Sequence, residues 1–424
     1  MLKKLLSTLI TLSLVLILGT VLIPSPAMAA TPQEIQDAID AGLPWLASQQ
    51  WSDGSWDGYV GPTGLVVLKF ETHAMDMGKS PLDPSYIYAA NVQKGLDYIF
   101  SKAIVYAIGL QPAGDPDTNG NGIGIGASNY AGHTMYECGI ATMAVSASGA
   151  PDAVTTNGSV SVIGRTYEDV AQDMVDFIAF AQNEGSGGWT YDPNESGEGD
   201  NSVSGYVTLG LSYAEASPPY GFDLVIPDYV RTELNNWINY IQNTGGGSND
   251  GGSGYTGPNS WVNILKTGHL LAQMALVGDT QATPRVQRAV AYIARHWNDA
   301  NTDPGWRNHY QACFTTMKGF QSLGVTLIDV DGDLTPETDW YDEMSTMIVN
   351  TQNQDGSWPD DNWWGQRLAS AWAMLTLEKA APPALTVGGE AYPINEIGLI
   401  APWIALAMVI AAGGIYLVRR RAHS

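Results

Sequence analysis

Apolar residues recur at helical spacing in six pairs of segments along the body of the chain. In the first segment of each pair they fall on one face, as Val286, Val290 and Ile293 do, which is typical of an amphipathic α-helix. The second segment is richer in Ala, Gly, Ser and Thr, and such small residues favour a helix that is crowded on several sides. The pattern therefore predicts twelve helices in six hairpins, with a period of roughly 50 to 60 residues.

A short motif, Gln-x3-Gly-x-Trp, marks two of the turns between paired segments. Its members are Gln50, Gly54 and Trp56 near the start of the body and Gln352, Gly356 and Trp358 near its end. A third copy, from Gln182 to Trp189, is one residue longer. We interpret the motif as the corner between an outer and an inner helix, where the Gln bonds exposed groups at the N-terminus of the inner helix and the Trp covers that amide. An open solenoid needs atypical, polar end units. Because the first and last units match the motif best, the pattern favours closure into a ring.

The motif resembles the QW repeat of squalene–hopene cyclases and related terpenoid cyclases, whose fold is shared by protein prenyltransferase β-subunits and complement-type thioester domains. Segments around Cys138, Asp200 and His269 also resemble prokaryotic proteins with squalene-cyclase-like repeats. The resemblance covers about Gln33 to Ala380. It implies an all-α fold, an α/α toroid of six helical hairpins with about twelve helices in two concentric rings. It is specific for the fold and weak for function.

The residues that carry the chemistry of these families are missing. Class II cyclases protonate their substrate with an Asp-x-Asp-Asp motif, which does not occur in this sequence, since Trp358 stands where the first Asp of a related motif would be. A thioester needs Cys-Gly-Glu-Gln, but Ile140 and Ala141 follow Cys138-Gly139. We therefore expect a ligand-binding or scaffold module. The alternative is an extracytoplasmic enzyme, terpenoid-cyclase-like or a polysaccharide lyase or hydrolase, that acts in the toroid cavity.

Residues 1–29 have the features of a secretory signal. Two lysines precede an apolar run from Leu5 to Ile23, and an Ala-x-Ala cleavage site stands just before the body. The alternative is an uncleaved membrane anchor.

The C-terminal segment 397–418 carries no charge. As a helix it would be about 33 Å long, enough to cross a bilayer. The basic tail 419–424 follows, and positive residues stay on the cytoplasmic side. A linker rich in Pro and Gly, 382–396, joins the span to the body, 31–381. We therefore expect a body that is exported to the cell surface and anchored in the membrane by a C-terminal transmembrane helix.

The formal net charge of −24 excludes a nucleic-acid partner, because the protein surface would repel phosphates. Only two cysteines occur, Cys138 and Cys313, in the second and fifth hairpins. In a six-fold ring these hairpins face each other across the axis, so a disulfide is not expected. Three inner helices carry a histidine toward one rim: His133, His269 and His309. We interpret these histidines and the two thiols as structural, with a zinc or catalytic cluster as the alternative.

Aromatic and charged residues cluster on the loops that enter the inner helices. The expected ligand-binding residues are Tyr136, Tyr206, Trp261, Arg307, Tyr310, Trp363 and Trp364, and the candidate catalytic residues are Asp200, Asp360, Asp361 and His133. Such a mouth could bind an unidentified glycan, peptide or apolar ligand, and paired carboxylates could do acid–base work. In the alternative interpretation the aromatics are structural plugs and the acids are solvated.

Two loops have the oxygen-rich character of calcium sites. The stronger candidate metal ligands are Asp329, Asp331, Asp333, Glu337 and Asp339, and the weaker ones are Asp117, Asn119 and Asn121. Neither loop has the full EF-hand pattern. The alternative is a pair of ion-free turns in which the side chains bond the backbone.

Overall fold

The computed structural model describes residues 29–194, 197–299, 303–360 and 365–382. Twelve α-helices lie within these ranges, alternating between outer and inner positions. The outer helices are α1 (Pro32–Ser48), α3 (Ala89–Ser101), α5 (Tyr167–Phe180), α7 (Asp228–Ile241), α9 (Pro284–Arg295) and α11 (Trp340–Asn350). The inner helices are α2 (Val60–Asp76), α4 (Thr134–Ala147), α6 (Asn201–Glu215), α8 (Ile264–Leu276), α10 (Tyr310–Leu323) and α12 (Gln366–Leu377). The predicted six hairpins are therefore confirmed.

The outer helices bury one face. In α9 the side chains of Val286, Ala289 and Ile293 are buried, while the opposite face is solvated. Helix α1 begins with a capping box, in which the Thr31 side chain accepts from the backbone N–H of Glu34 and the Glu34 carboxylate accepts from the backbone N–H of Thr31. The outer helices are therefore amphipathic, with one buried and one solvent-exposed face, as the apolar spacing predicts.

The inner helices are buried on most sides because small residues let their backbones approach. A Cβ atom on Gly139 of α4 would lie 2.7 Å from the carbonyl oxygen of Tyr206, and one on Gly210 of α6 would lie 2.4 Å from that of Gly139. Gly268 of α8 and Gly319 of α10 form a second such pair. No side chain fits at these contacts, which explains the small-residue composition of the inner segments.

The inner helices close into a ring. Each packs against the next, from α2 through α4, α6, α8 and α10 to α12, and α12 packs against α2. Among the outer helices, α11 packs against α1. The last hairpin thus contacts the first, and the two-ring α/α toroid is confirmed. We refer to the contact of α11 and α12 with α1 and α2 as the seam.

The repeated motif builds the corners, but its Gln does not bond the groups that the sequence predicted. Gln352 donates to the carbonyl of Gly356 in its own turn and to the carbonyl of Ala38 in α1, so it bonds the neighbouring outer helix rather than an inner one. The indole N–H of Trp358 donates to the carbonyl of Ile348 at 2.7 Å, near the end of α11. The expected role of the Gln was therefore wrong, since its amide donates within the turn and to a carbonyl inside an outer helix.

The motif glycine is fixed by two constraints. Gly356 has φ +90°, and a Cβ atom there would lie 2.1 Å from the carbonyl oxygen of Ala41. The fourth turn uses the same device without the sequence motif, since Gln242 donates to the carbonyls of Gly251 and Arg285. That turn is degenerate in sequence but preserved in geometry.

Two small antiparallel hairpins interrupt the helices. Strands β1 (Ala103–Ala107) and β2 (Ile123–Ala127) pair with Val105 opposite Ile125, and β3 (Leu327–Ile328) pairs with β4 (Thr338–Asp339). The first hairpin is the insertion in the second repeat, and β2 packs on α5.

The predicted membrane segments fall outside the described residues. The signal sequence up to residue 28, the linker from 383 to 396, the span 397–418 and the tail 419–424 are all in this position. Within the described ranges, no helix is both long enough and apolar enough to cross a bilayer.

Candidate functional site

A cavity of about 290 Å³ lies at the N-terminal end of the inner ring. Five of the six inner helices contribute to it near their first turns. Its wall residues from these helices are Gly61, Pro62 and Leu65 of α2, Tyr136, Glu137 and Ile140 of α4, Tyr206 of α6, Gln311 of α10, and Leu368 and Trp372 of α12. The loops before α2 and α4 add Asp57, Tyr59, Tyr130 and His133. The cavity exists because the ring closes, since α12 and α2 meet across the seam.

Aromatic side chains make up much of the wall. Tyr59 and Tyr130 stand at the mouth, 41% and 40% exposed, with ring centres 4.8 Å apart. His133 stacks on Tyr130 at 4.1 Å. Deeper in, the rings of Tyr136 and Tyr206 are 5.6 Å apart. Burial raises the pKa of Tyr136 well above its usual value, so this side chain presents a neutral ring and hydroxyl.

One wall residue, Glu137, is buried and fully hydrogen-bonded. Its carboxylate accepts from the backbone N–H groups of Gly61, Asn129 and Tyr130 at 2.8 to 2.9 Å, and from the Ser128 hydroxyl at 2.9 Å. The side chain therefore ties the first turn of α2 to the loop before α4. Glu137 was not among the predicted site residues, because the residues that follow it were compared only with the thioester motif.

The other acid of the wall, Asp57, forms an ion pair with Arg367 of α12. Asp57 directly follows the first copy of the motif, and Arg367 lies in the last inner helix. The ion pair therefore bridges the seam at the mouth of the cavity. Trp372 also lines the cavity, and its buried indole N–H has no hydrogen-bond partner among the described residues.

Of the three candidate catalytic residues that the structure describes, His133 alone lines the cavity. Asp200 is the N-cap of α6, where its carboxylate accepts from the backbone N–H groups of Ser202 and Val203. Burial raises the pKa of Asp200. Tyr255 links it to Tyr191 through hydroxyl groups 2.6 Å apart. Asp360 is exposed and accepts from the N–H of Gly365 at 3.1 Å, and Asp361 lies outside the described residues.

The expected ligand-binding residues separate into two groups. Tyr136 and Tyr206 line the cavity. Trp261 lies elsewhere, with the ammonium of Lys266 3.9 Å above its ring, and Arg307 bonds Glu343 and stacks on Trp306. Tyr310 is buried and its hydroxyl donates to Thr351, while Trp363 and Trp364 lie outside the described ranges. Of the members of this set that the structure describes, two line the cavity and three do not.

The three histidines do not form a cluster. His269 is buried against Gly205, where a Cβ atom would lie 2.1 Å from its ring, and burial lowers its pKa to about 3. His309 is the N-cap of α10, and burial lowers its pKa to about 4. Cys138 and Cys313 are separate buried thiols. In the part of the chain that the structure describes, no group of His and Cys is placed to hold a metal.

The acidic loop between β3 and β4 does form a cluster. Asp329, Asp331, Asp333 and Glu337 each offer a carboxylate oxygen, and these oxygens lie within 4.8 Å of one another. Desolvation and the three aspartates raise the pKa of Glu337. Asp339 is not part of the cluster, because it caps α11 by accepting from the N–H groups of Tyr341 and Asp342.

The second acidic loop is a network of turns. Asp117 accepts from the backbone N–H groups of Gly120, Asn121 and Gly122, while the amides of Asn119 and Asn121 both donate to Asp173 of α5. These contacts fix the loop on the outer ring and favour the ion-free interpretation there.

Comparisons with known proteins add little. No protein-family model matches the chain, and no curated protein is similar to it. A type II terpene cyclase from Scytonema, solved in complex with its substrate geranylgeranyl dihydroxybenzoate, is similar in structure at 12% sequence identity and a TM-score of 0.45. The match covers 82% of this chain and 96% of that one. At this level of similarity we carry nothing over from the cyclase.

Proposed function

We propose that this chain is a ligand-binding protein whose site is the cavity at the N-terminal end of the inner ring. The observation that carries the proposal is a solvent-open cavity with a mainly apolar and aromatic wall, at the convergence of five inner helices. Pockets of this composition are the usual sites of small-molecule binding.

The size and lining of the cavity favour an apolar or amphipathic small molecule over the glycan and peptide alternatives. A volume of about 290 Å³ is at the lower end of the range for small-molecule pockets, roughly 300 to 1,000 Å³. A glycan or peptide could place only one unit inside and would meet few unsatisfied polar groups.

An enzyme in the same cavity is the weaker alternative. A general acid needs a carboxyl group that can reach the substrate. The two acids that line the described wall are already engaged, Glu137 by four donors and Asp57 by Arg367. The observation that favours the enzymatic alternative is His133, because it lines the cavity and histidine is the most common general acid or base.

Binding can be tested with the neutral apolar fluorophore N-phenyl-1-naphthylamine. We expect a saturable rise in fluorescence with the native chain. The substitution Leu65→Trp adds bulk to the cavity wall and should abolish the rise, whereas Val160→Trp, at a residue that is 95% exposed, should leave it unchanged. Equal signals from both variants would show that the probe binds elsewhere.

The proposal includes surface anchoring by segment 397–418, supported by its uncharged sequence and by the basic tail. The full chain should remain with membranes, and a chain ending at residue 382 should be released in soluble form. Retention of the shortened chain on membranes would contradict the anchor.

The proposal also includes one calcium ion at the loop of Asp329, Asp331, Asp333 and Glu337, supported by the convergence of four carboxylates. Calorimetric titration of chelator-treated protein should show one site. The double variant Asp331→Asn with Asp333→Asn should lose it, and Asp117→Asn should keep it. A chain that takes up no calcium would exclude the site.

A further inference from the structure

The charged residues of the cavity wall are all acidic. Among the described wall residues, Asp57 and Glu137 carry negative charge and none is a lysine or arginine. Arg367 neutralises Asp57 from outside the wall. Glu137 has no such cationic partner, since its four hydrogen bonds come from neutral groups. A carboxylate without a cationic side-chain partner is therefore held beside an apolar space.

Aromatic rings surround the same space. Tyr59, Tyr130, His133, Tyr136, Tyr206 and Trp372 line it. The face of an aromatic ring attracts a cation, most strongly where water is excluded. The same chain already uses this interaction, because the ammonium of Lys266 lies 3.9 Å above the ring of Trp261.

The charge of the whole molecule acts in the same direction. A formal net charge of −24 raises the local concentration of cations and repels anionic ligands. A bare metal ion would not suit this wall, since apolar and aromatic groups cannot replace its hydration shell. An organic cation is weakly hydrated and carries its own apolar surface.

We infer that the cavity selects small organic cations, with a quaternary or tertiary ammonium group carrying apolar substituents, over neutral molecules of the same shape. The inference rests on the proposed function, because it names the ligand class of the same cavity. Glu137 provides the fixed negative charge, the aromatic wall contacts the substituents, and the exposed rings of Tyr59 and Tyr130 form the entrance.

The test compares choline with its neutral isostere 3,3-dimethylbutan-1-ol, by calorimetry on the full chain at pH 8, where ordinary histidine side chains are uncharged. We expect choline to bind at least tenfold more tightly, and the preference to weaken as salt is added. Equal or tighter binding of the neutral alcohol would overturn the inference.

Variants assign the preference to the cavity. Glu137→Gln should reduce the choline preference severalfold, and Tyr136→Leu should reduce choline affinity more than alcohol affinity. If Glu137→Gln fails to fold, Tyr136→Leu carries the test alone. Asp152→Asn, which removes an exposed charge away from the wall, is the matched control and should keep the full preference. A preference that persists in Tyr136→Leu would contradict the inference.

The two proposals fail differently. If N-phenyl-1-naphthylamine binds in the cavity and choline shows no preference over the alcohol, the ligand class is wrong while the binding function stands. If neither the fluorophore nor choline binds, both are wrong.

Discussion

The two ends of the inner ring are built from the same helix faces but differ in chemistry. Toward the N-terminal end, Leu65, Tyr206 and Gln311 line the cavity. One or two turns deeper on the same faces stand Lys69, Tyr213 and Lys318, which are buried. Lys69 pairs with Glu378 at the end of α12. The Lys318 Nζ donates to the Tyr213 hydroxyl at 2.6 Å, and burial lowers the pKa of Lys318 well below its usual value.

This difference shows how a closed ring can hold an open site. The deep end is cross-linked by polar contacts between helices that are not neighbours in sequence, and one of them, Lys69–Glu378, bridges the seam. The mouth is held by two residues of its own wall, Asp57 through Arg367 and Glu137 through the loop before α4. The space between the two layers is thus left for a ligand.

The largest effect on stability is expected at the mouth, from Glu137→Gln. The glutamine amide replaces one of the two accepting oxygens with an NH₂ group, which cannot accept the hydrogen bonds made to that oxygen. A hydrogen bond to a charged group contributes about 1.5 to 3 kcal/mol. We expect a loss of about 3 kcal/mol in the free energy of unfolding, measured by urea denaturation. A loss below about 1 kcal/mol would show that Glu137 does not fix the loop before α4.

A Tyr→Phe substitution should destabilise the protein more at the deep end than at the mouth. Tyr213→Phe removes the hydrogen-bond partner of the fully buried Lys318 side chain and should cost about 2 kcal/mol. Tyr206→Phe removes a 3.2 Å hydrogen bond from Gln311 beside an open cavity, where water can replace it, and should cost less than about 1 kcal/mol. Equal losses of stability in the two variants would contradict the distinction between a buried deep end and a solvent-accessible mouth.

The pH dependence of stability should report on the deep end. Burial, which outweighs the attraction of Lys69, raises the pKa of Glu378 from 4.5 to about 7. The folded chain then binds this proton more tightly than the unfolded chain, so the associated stability is present below pH 4.5 and is lost as the pH rises through 7. In Glu378→Gln this loss cannot occur. The free energy of unfolding of Glu378→Gln, relative to that of the native chain, should therefore rise by about 1 to 2 kcal/mol between pH 5 and pH 8. A difference that does not change with pH would contradict this prediction.

The smallest effect is expected at Trp372. Its indole N–H is buried without a partner in the part of the chain described by the structure, so Trp372→Phe removes an unsatisfied donor. We expect a change within about 0.5 kcal/mol in unfolding free energy. A loss of several kcal/mol would contradict this expectation, because lost ring packing or a lost hydrogen bond would then outweigh removal of the unsatisfied donor.

The ring was predictable because its signals are local. Gln352, Gly356 and Trp358 repeat the spacing of the first motif, and the small residues at Gly139 and Gly210 indicated crowded inner helices. The fourth corner is degenerate in sequence, because Gln242 and Gly251 are separated by a longer loop, which nevertheless forms the same two kinds of hydrogen bond.

The site was only partly predictable, since a sequence gives the turn on which a residue lies but not its direction. Tyr136 and Tyr206 lie in the first turns of α4 and α6 and line the cavity. Trp261 lies in a loop and bonds Asp303, and Arg307 bonds Glu343 of α11. Glu137 was missed because its role depends on donors from α2 and from the loop before α4, and these meet only in the folded chain.

The cavity, the mouth and the deep end all depend on the contact between the last hairpin and the first. Spin labels on Asp40→Cys in α1 and Asn350→Cys in α11, both exposed positions, would measure this contact by pulsed electron spin resonance while the native thiols stay buried. The closed toroid predicts a narrow distribution at short distance, because packed helices lie about 8 to 10 Å apart. A broad distribution centred on the order of 50 Å, as in an open stack of six hairpins, would contradict the account.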